Sequence, residues 1–223
     1  MVDVAKLCGT DPPVPYAEAP GSAFHGEALA VYRAVRELSP ERLEIARCWA
    51  DDPGETATPP GHWVAIASRL ATERGLRLDK AAEMYARVGV GLADAFIACW
   101  QTKYRLNLVR PVTYIRQHID ARWGALLMTP PFPEYPSGHS VASAAAAEVL
   151  TAVFGEVAFT DRTHEARGLP SRRFGSFAAA AAEAAVSRLY GGIHYPMAIE
   201  QGLHQGRCVG RHVNAVVRTR KES

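Results

Sequence analysis

Residues 130–139 read Pro-Pro-Phe-Pro-Glu-Tyr-Pro-Ser-Gly-His and run directly into a long alanine-rich segment. Four prolines in ten residues restrict the backbone before Ser137, where the pattern predicts the start of a helix. Backbone N–H groups in the first turn of a helix have no partner within the helix, and they bind anions. The stretch therefore predicts an anion site at a helix N-terminus, built from Ser137, Gly138 and His139.

Composition sets the broad class of the protein. The chain has 223 residues, 48% of them hydrophobic, which is enough to build one sizeable core. The formal net charge of +2 is too mild to indicate a nucleic-acid partner. We see no signal peptide and no run of about 18 uncharged apolar residues that would span a membrane. We therefore expect a cytoplasmic protein with neither a nucleic-acid nor a membrane partner.

The four cysteines, Cys8, Cys48, Cys99 and Cys208, are far apart in the sequence. Their spacing matches neither a zinc site nor a compact disulfide framework. We expect free thiols, which are the ordinary state of cysteine in a reducing compartment.

Apolar residues recur at spacings of three and four along most of the chain, a pattern typical of amphipathic helices. Ser39-Pro40-Glu41 supplies an N-cap, a first-turn proline and a first-turn acid, while Asp79 can cap the longest helix and Ser171 can start a later one. The predicted helices cover approximately residues 24–38, 40–49, 62–75, 79–108, 140–154, 171–190 and 196–217.

The segments between these helices predict loops. Residues 50–61 are rich in helix breakers, residues 156–170 are polar, and no stretch alternates long enough to predict a strand. Four prolines in residues 10–21 predict an extended arm that lies on the surface or on a neighbouring subunit. We therefore predict an all-α helical bundle, with the arm over residues 1–21 and a single catalytic domain over residues 22–223.

Three short blocks carry the residue types that bind a tetrahedral oxyanion. Such an anion needs donors on every oxygen, and arginine supplies planar, charge-assisted hydrogen bonds. Each block alone has an ordinary structural alternative, such as a solvated helix face, but the three together favour a common site. The blocks are Lys103 with Arg110-Pro111, then Pro136-Ser137-Gly138-His139, then Ser187-Arg188 with His194.

Together the three blocks resemble the signature shared by vanadium-dependent haloperoxidases and the type 2 phosphatidic acid phosphatase superfamily, which includes soluble acid phosphatases. The resemblance spans roughly residues 94–202 and implies an all-α bundle. It implies that His194 bonds covalently to the vanadium of vanadate, or to the phosphorus of a phosphate ester, with His139 as the acid–base group. The remaining oxyanion ligands that it implies are Lys103, Arg110, Ser137, Gly138 and Arg188.

The resemblance leaves two reactions open. A haloperoxidase would bind hydrogen peroxide on vanadate, with Lys103 polarising the peroxide that a halide attacks. A phosphatase would use His194 as nucleophile on a small phosphate ester, while His139 protonates the leaving alkoxide. For a phosphatase, phosphate is the substrate anion. For a haloperoxidase, phosphate competes with vanadate for the site.

Residues outside the anion ligands favour the peroxidase. Trp100 and Phe132 match aromatic positions that border the halide region in vanadium chloroperoxidases, although both could equally be core residues. Residues 46–64, which include Trp49-Ala50-Asp51 and Pro59-Pro60-Gly61-His62-Trp63, also resemble bacterial proteins of that branch.

Two departures from the family pattern oppose a simple assignment. Many relatives carry an aspartate four residues after the last histidine to orient its ring, but this chain has Ala198 there. Glu200 or a backbone carbonyl would have to substitute, and otherwise the protein binds an oxyanion without turnover. The chain is also shorter than typical haloperoxidases, so we expect a homodimer that supplies the missing wall. Among the other histidines, His62 follows Pro59-Pro60-Gly61 and is expected to lie at a helix start. Four others show no partner pattern and are expected to be surface or structural residues; they are His118, His164, His204 and His212.

Overall fold

The computed structural model describes residues 3–52, 54 and 58–217. Helices dominate this part of the chain, which confirms the predicted all-α class, and α5 is the longest element, as expected. The helices are α1 (Val4–Leu7), α2 (Ala23–Arg36), α3 (Pro40–Cys48), α4 (Thr58–Glu73), α5 (Leu78–Leu106), α6 (Pro111–His118), α7 (Gly138–Phe154), α8 (Phe177–Tyr190) and α9 (Pro196–Val216).

Helix starts follow the sequence signals in part. Ser39 caps α3 through its side chain, which accepts a hydrogen bond from the Arg42 N–H at 3.2 Å, and Pro40 opens the first turn as predicted. The prediction that Asp79 caps α5 is wrong by two residues, since the N-cap is Arg77 and Asp79 lies in the first turn. An acid there still interacts favourably with the helix dipole.

The predicted helix start at Ser171 is wrong. A short strand occupies this position: β2 (Arg172–Phe174) pairs antiparallel with β1 (Phe159–Asp161). Phe174 and Phe159 are both buried and directly opposite, so cross-strand packing overrides the helical pattern. The helix α8 begins three residues after β2, where the Ser176 side chain accepts from the Ala179 N–H at 3.1 Å.

The predicted loop over residues 50–61 is shorter than expected. Helix α4 already begins at Thr58, and its two prolines occupy the first turn, where no intrahelical N–H is lost. Residues 53 and 55–57 of the predicted loop lie outside the described residues.

Small residues bring α7 and α9 into close contact. The column Gly202, Gly206 and Gly210 predicts a helix packed against the backbone of α9, and α7 occupies that position. A Cβ on Gly202 would lie 2.9 Å from the Ser137 carbonyl oxygen, and one on Gly210 would lie 2.8 Å from that of Ala145. Since a carbon atom does not fit at these distances, the glycines are needed for α9 to support the N-terminal end of α7.

The N-terminal arm lies along the same bundle. The Asp11 N–H donates to the Gln201 side chain at 3.1 Å, and the Asp11 carbonyl accepts from the Tyr135 hydroxyl at 2.6 Å. Further along, the Ala17 carbonyl accepts from the Tyr114 hydroxyl at 2.7 Å. The arm thereby contacts Tyr135, which belongs to the proline-rich stretch before α7.

The expectation of four free thiols is half wrong. Cys8 and Cys208 form a disulfide that links residues 200 positions apart, so that the arm is tied covalently to α9. Sequence spacing carries no signal for such a pair, because helix packing alone brings the two cysteines together. Cys48 and Cys99 are buried free thiols, as predicted. Among the described residues, no helix is both long enough and apolar enough to cross a membrane.

Candidate active site

The three sequence blocks meet at helix ends around one cavity. Lys103 lies in the last turn of α5, Arg110 precedes α6, and Arg188 lies in the last turn of α8. Gly138, His139, Arg188 and His194 help to line a cavity of about 410 Å³. Lys103 and Arg110 lie behind this lining, next to Phe132 and His194. The residues around the expected anion form an anion cage, which consists of Lys103, Arg110, Ser137, Gly138, His139, Arg188 and His194.

Lys103 is fully buried and held by two backbone oxygens. Its Nζ donates to the carbonyls of Pro133 and Glu134, each at 2.8 Å. Burial lowers the pKa of Lys103 to about 8. An ammonium group has three N–H donors, so one remains for a further acceptor.

Arg110 and Arg188 are also buried and are oriented mainly by backbone carbonyls. Arg110 donates from Nε to Phe132 at 2.8 Å and from Nη1 to Ile193 at 2.9 Å. Arg188 donates from Nε to the Ser187 hydroxyl at 3.0 Å and from Nη2 to the Trp49 carbonyl. Burial lowers the pKa of each guanidinium to about 10, so both stay charged at neutral pH.

Glu134 orients His194, a role that the sequence interpretation missed. The Nδ1 of His194 lies 2.7 Å from Glu134 Oε1, which also accepts the Tyr195 N–H at 2.9 Å. Because this oxygen acts as an acceptor, Nδ1 carries the ring proton and Nε2 presents a lone pair. The His194 ring is therefore fixed in the tautomer that can act as a ligand or nucleophile through Nε2.

The two substitutes considered for the missing aspartate, Glu200 and a backbone carbonyl, are wrong. Ala198 is fully buried, and its carbonyl accepts the Ser137 N–H at 3.0 Å. This hydrogen bond links α9 to the start of α7. The signal for Glu134 was present in the opening stretch, as a lone acid between two prolines. Burial raises the pKa of Glu134 to about 7, although Lys103 opposes the shift.

Both histidines of the anion cage favour the neutral state. Burial is the main cause, and it lowers the pKa of His139 and of His194 well below the ordinary value. Nearby cations add to the effect: Arg188 acts on His139, and Arg110 acts on His194, whose Nε2 lies 3.3 Å from Arg110 Nη1. Neutral imidazoles can accept a proton or bind an electrophilic centre.

Trp100 and Phe132 form one wall of the cavity. Their ring centroids are 5.1 Å apart, and Lys103 Nζ lies 5.7 Å and 5.3 Å from the two centroids. A Cβ on Gly138 would approach the Trp100 ring to 3.3 Å, so glycine lets the helix start lie against the indole. Trp100 also packs against the core through Phe96, at 4.8 Å between centroids, so it both packs and lines the cavity.

A second buried polar cluster lies beside the anion cage. It contains His62, which lies near the start of α4 as predicted, and His164, which is buried, so that a surface position is excluded for it. His62 contacts Asp51 and Asp161, each at 2.8 Å, and His164 Nε2 lies 3.7 Å from Asp51. The ligand atoms of Asp51, His62 and His164 lie within 4.8 Å of one another, a grouping that could hold a metal ion. Helix α4 supplies His62, β1 supplies Asp161, and loops supply Asp51 and His164, so spacing in the sequence carries no signal for this cluster.

Comparison with known proteins identifies the family of the chain. Residues 83–222 match the family model described as the VCPO second helical-bundle domain. The chain belongs to this family. The vanadium chloroperoxidase of Curvularia inaequalis is 29% identical to this chain over 163 residues, which are 58% of this chain and 27% of that protein.

Two solved structures show how far the likeness extends. A structure described as the first bacterial vanadium-dependent iodoperoxidase is 46% identical with a TM-score of 0.91, over 96% of this chain and 54% of that one. A transmembrane PAP2 type phosphatidylglycerolphosphate phosphatase from Bacillus subtilis shares the fold only, at 15% identity and a TM-score of 0.55, over 87% and 88% of the two chains. This VCPO-family chain thus spans about half the length of the iodoperoxidase and about a quarter of the chloroperoxidase.

Proposed function

We propose that this protein is a vanadate-dependent haloperoxidase that oxidises a halide with hydrogen peroxide in the anion cage. One observation carries the proposal: His194 is held by Glu134 through Nδ1, so that Nε2 is directed toward a pocket with three buried cations. A histidine ligand needs this orientation, because the partner of one ring nitrogen sets the tautomer and basicity of the other.

The charges and open donors of the anion cage fit an oxyanion. Lys103, Arg110 and Arg188 place three cations in the protein interior, where uncompensated charge is unfavourable. Arg110 Nη2 and His139 Nε2 are buried and have no hydrogen-bond partner among the described residues. A buried polar group left unpaired costs about 1–3 kcal/mol. A tetrahedral anion would satisfy both nitrogens and compensate the cations.

The chain's own residues divide the work around this anion. Lys103, Arg110 and Arg188 would donate to its oxygens, together with the Ser137 hydroxyl and the backbone N–H of Gly138 at the helix N-terminus. Bound vanadate would supply Lewis-acid activation of hydrogen peroxide without a change of oxidation state. His139 would accept and return a proton at Nε2, since its lowered pKa leaves the ring neutral at neutral pH.

Iodide is the halide to test first, because the iodoperoxidase is 46% identical over nearly the whole chain. Trp100 and Phe132 give the halide an apolar, partly dehydrated approach to the cage. Lys103 Nζ lies 5.7 Å and 5.3 Å from the ring centroids of Trp100 and Phe132, so its positive charge is close to this wall. An iodide ion sheds its hydration more easily than smaller halides and suits such a wall.

The proposal is tested by adding orthovanadate, hydrogen peroxide and iodide to the apo-protein and following triiodide formation, with bromide as the second halide. Hydrolysis of an aryl phosphate without vanadate is measured in parallel. Vanadate-dependent triiodide formation is the expected result. Phosphate release that vanadate inhibits, with no halide oxidation at any vanadate concentration, would instead support the phosphatase.

The alternative of an oxyanion-binding protein without turnover rested on Ala198. Glu134 supplies the orienting carboxylate that Ala198 lacks, and it does so from a rigid, proline-flanked position. The reason for expecting a disabled His194 is thereby removed.

A further inference from the structure

His62 lies between two carboxylates behind the anion cage. Its Nδ1 is 2.8 Å from Asp51 Oδ1, and its Nε2 is 2.8 Å from Asp161 Oδ2. An ionised carboxylate can only accept hydrogen bonds, so both ring nitrogens act as donors and the ring is an imidazolium. The pKa of His62 agrees: burial lowers it, but the hydrogen bonds to Asp161 and Asp51 outweigh burial and raise it to about 9.

Asp51 is shared between this cluster and the anion cage. While Oδ1 contacts His62, Oδ2 lies 3.8 Å from His139 Nε2, and Asp51 also lines the cavity. The residue has a left-handed backbone with φ of 51°, a conformation that aspartate tolerates better than most residues. The short bond to His62 therefore fixes the position of a carboxylate beside the acid–base histidine.

Asp161, at the end of the cluster away from the anion cage, is also held by hydrogen bonds. Asp161 Oδ1 accepts from the Thr163 backbone N–H at 2.9 Å and from its hydroxyl at 2.6 Å. Trp49 stacks on the His62 ring with centroids 4.4 Å apart, and the Trp49 carbonyl accepts from Arg188. The cluster thus reaches the anion cage by two routes, through Asp51 and through Trp49.

We propose that Asp161, His62 and Asp51 form a positioning relay, in which His62 bridges the two carboxylates and holds Asp51 beside His139 in the anion cage. Of the three, Asp51 lines the cavity, whereas His62 and Asp161 do not and act through Asp51. His62 and Asp161 are therefore positioning residues. The proposal rests on the proposed function only in requiring that the cage binds an oxyanion. It assigns a role to the Pro-Pro-Gly-His-Trp motif at residues 59–63, which the anion ligands leave unexplained.

A metal ion is the competing interpretation of the same residues. Asp51, His62 and His164 offer ligand atoms close enough for one, and His164 Nε2 is buried with no hydrogen-bond partner among the described residues. A metal would need one His62 nitrogen without its proton and would displace the hydrogen bond at that nitrogen. The two matched 2.8 Å contacts on opposite sides of the ring favour the charged bridge instead.

The first test substitutes His62→Phe, which keeps a flat ring against Trp49 but removes both hydrogen bonds. Trp63→Phe is the matched control, because Trp63 is the next residue of α4. The substitution removes a buried 2.8 Å hydrogen bond to Ser143 of α7 but keeps an aromatic ring against Trp49. Three quantities are measured: vanadate affinity of the apo-protein by calorimetry, kcat and KM for iodide, and the unfolding temperature.

We expect His62→Phe to lower kcat and vanadate affinity by about 10- to 100-fold, the range found when a partner of a ligand is removed. The KM for iodide should stay within about twofold, since the halide wall is untouched. Trp63→Phe should lower the unfolding temperature while leaving vanadate affinity and kcat unchanged. Equal loss of cage function in both variants would show a merely structural role and overturn the proposal, as would full retention in His62→Phe.

A second variant and a spectroscopic measurement keep the proposal testable if His62→Phe fails to fold. Thr163→Val removes one bond to Asp161 at the outer end and should lower vanadate affinity in the same direction by a smaller factor. In the unsubstituted apo-protein, ¹⁵N shifts of His62 should report protons on both ring nitrogens at neutral pH. A singly protonated ring, or zinc copurifying at one equivalent per chain, would overturn the relay. Neither vanadate binding nor the ¹⁵N shifts require halide oxidation, so a failure of the proposed function would be distinguishable.

Discussion

Two buried histidines, His194 in the anion cage and His62 in the positioning relay, have opposite surroundings. His194 contacts one carboxylate, Glu134, while its other nitrogen lies 3.3 Å from Arg110. His62 contacts a carboxylate at each nitrogen. Burial lowers the pKa of His194 well below the ordinary value, whereas for His62 the bonds to Asp161 and Asp51 overcome burial and raise the pKa to about 9.

The difference shows that burial alone does not decide what a histidine does. Burial disfavours the charged ring at both positions, and the balance of neighbouring charges then sets the outcome. Around His194 the cations outnumber the single carboxylate, so the ring stays neutral and can bind through Nε2. At His62 two carboxylates keep the ring a cation at neutral pH, which suits a positioning role and leaves no lone pair for nucleophilic chemistry.

The largest effect is expected from His194→Ala. Removing the ring nitrogen that is proposed to bond to the vanadium should abolish detectable iodide oxidation and weaken vanadate binding to that of a weak anion site. Calorimetry of the apo-variant with vanadate and the triiodide assay measure the two losses. Phosphate binding should survive, because Lys103, Arg110 and Arg188 remain. If His194→Ala keeps vanadate-dependent turnover, the assignment of His194 is wrong.

Glu134→Gln tests the carboxylate that distinguishes His194 from an ordinary buried histidine. The amide can still accept the Nδ1 proton but carries no charge, so vanadate affinity should fall by about 10- to 100-fold. Glu200→Gln is the matched control, since Glu200 was the substitute first expected for the aspartate and is exposed on α9. A larger loss in Glu200→Gln than in Glu134→Gln would reverse the interpretation.

The sequence was sufficient for residues whose role depends on local structure. Ser137, Gly138 and Lys103 lie at helix ends that local patterns predict, and their spacing within blocks carries the resemblance to the family. Glu134 and His62 depend instead on distances between elements far apart in the chain: 60 residues separate Glu134 from His194, and 99 separate His62 from Asp161. Strand β2 also depends on a contact between elements, because its pairing with β1 places Phe174 opposite Phe159 and decides the local conformation.

A third test uses the pH dependence of the free energy of unfolding, on which His62 and His194 should have opposite effects. The folded pKa of His62 is about 9 against an ordinary 6.5, so its stabilisation is fully present below pH 6.5 and is lost as the pH rises through 9. The loss should be on the order of 3 kcal/mol, since one pKa unit corresponds to about 1.4 kcal/mol. For His194 the folded pKa is depressed, so stability is lost as the pH falls below 6.5.

Urea unfolding across this pH range measures both effects. The difference in free energy of unfolding between the unsubstituted protein and His62→Phe should shrink above pH 6.5. In His194→Ala the acid-side decline should become shallower. Parallel curves for the unsubstituted protein and His62→Phe would show that His62 is not a charged bridge.

The smallest effect on the anion cage is expected from the disulfide. Cys208→Ser opens a link between residues 200 positions apart and should lower the free energy of unfolding by about 2–5 kcal/mol. Vanadate affinity and kcat should nevertheless stay unchanged, because Glu134, Arg110 and the carbonyls that hold Lys103 keep their own contacts. Reducing the disulfide in the unsubstituted protein should give the same shift in unfolding temperature, which controls for the serine. A tenfold loss of vanadate affinity would show that the cage depends on the arm through Asp11 and Tyr135, whose bond is 2.6 Å.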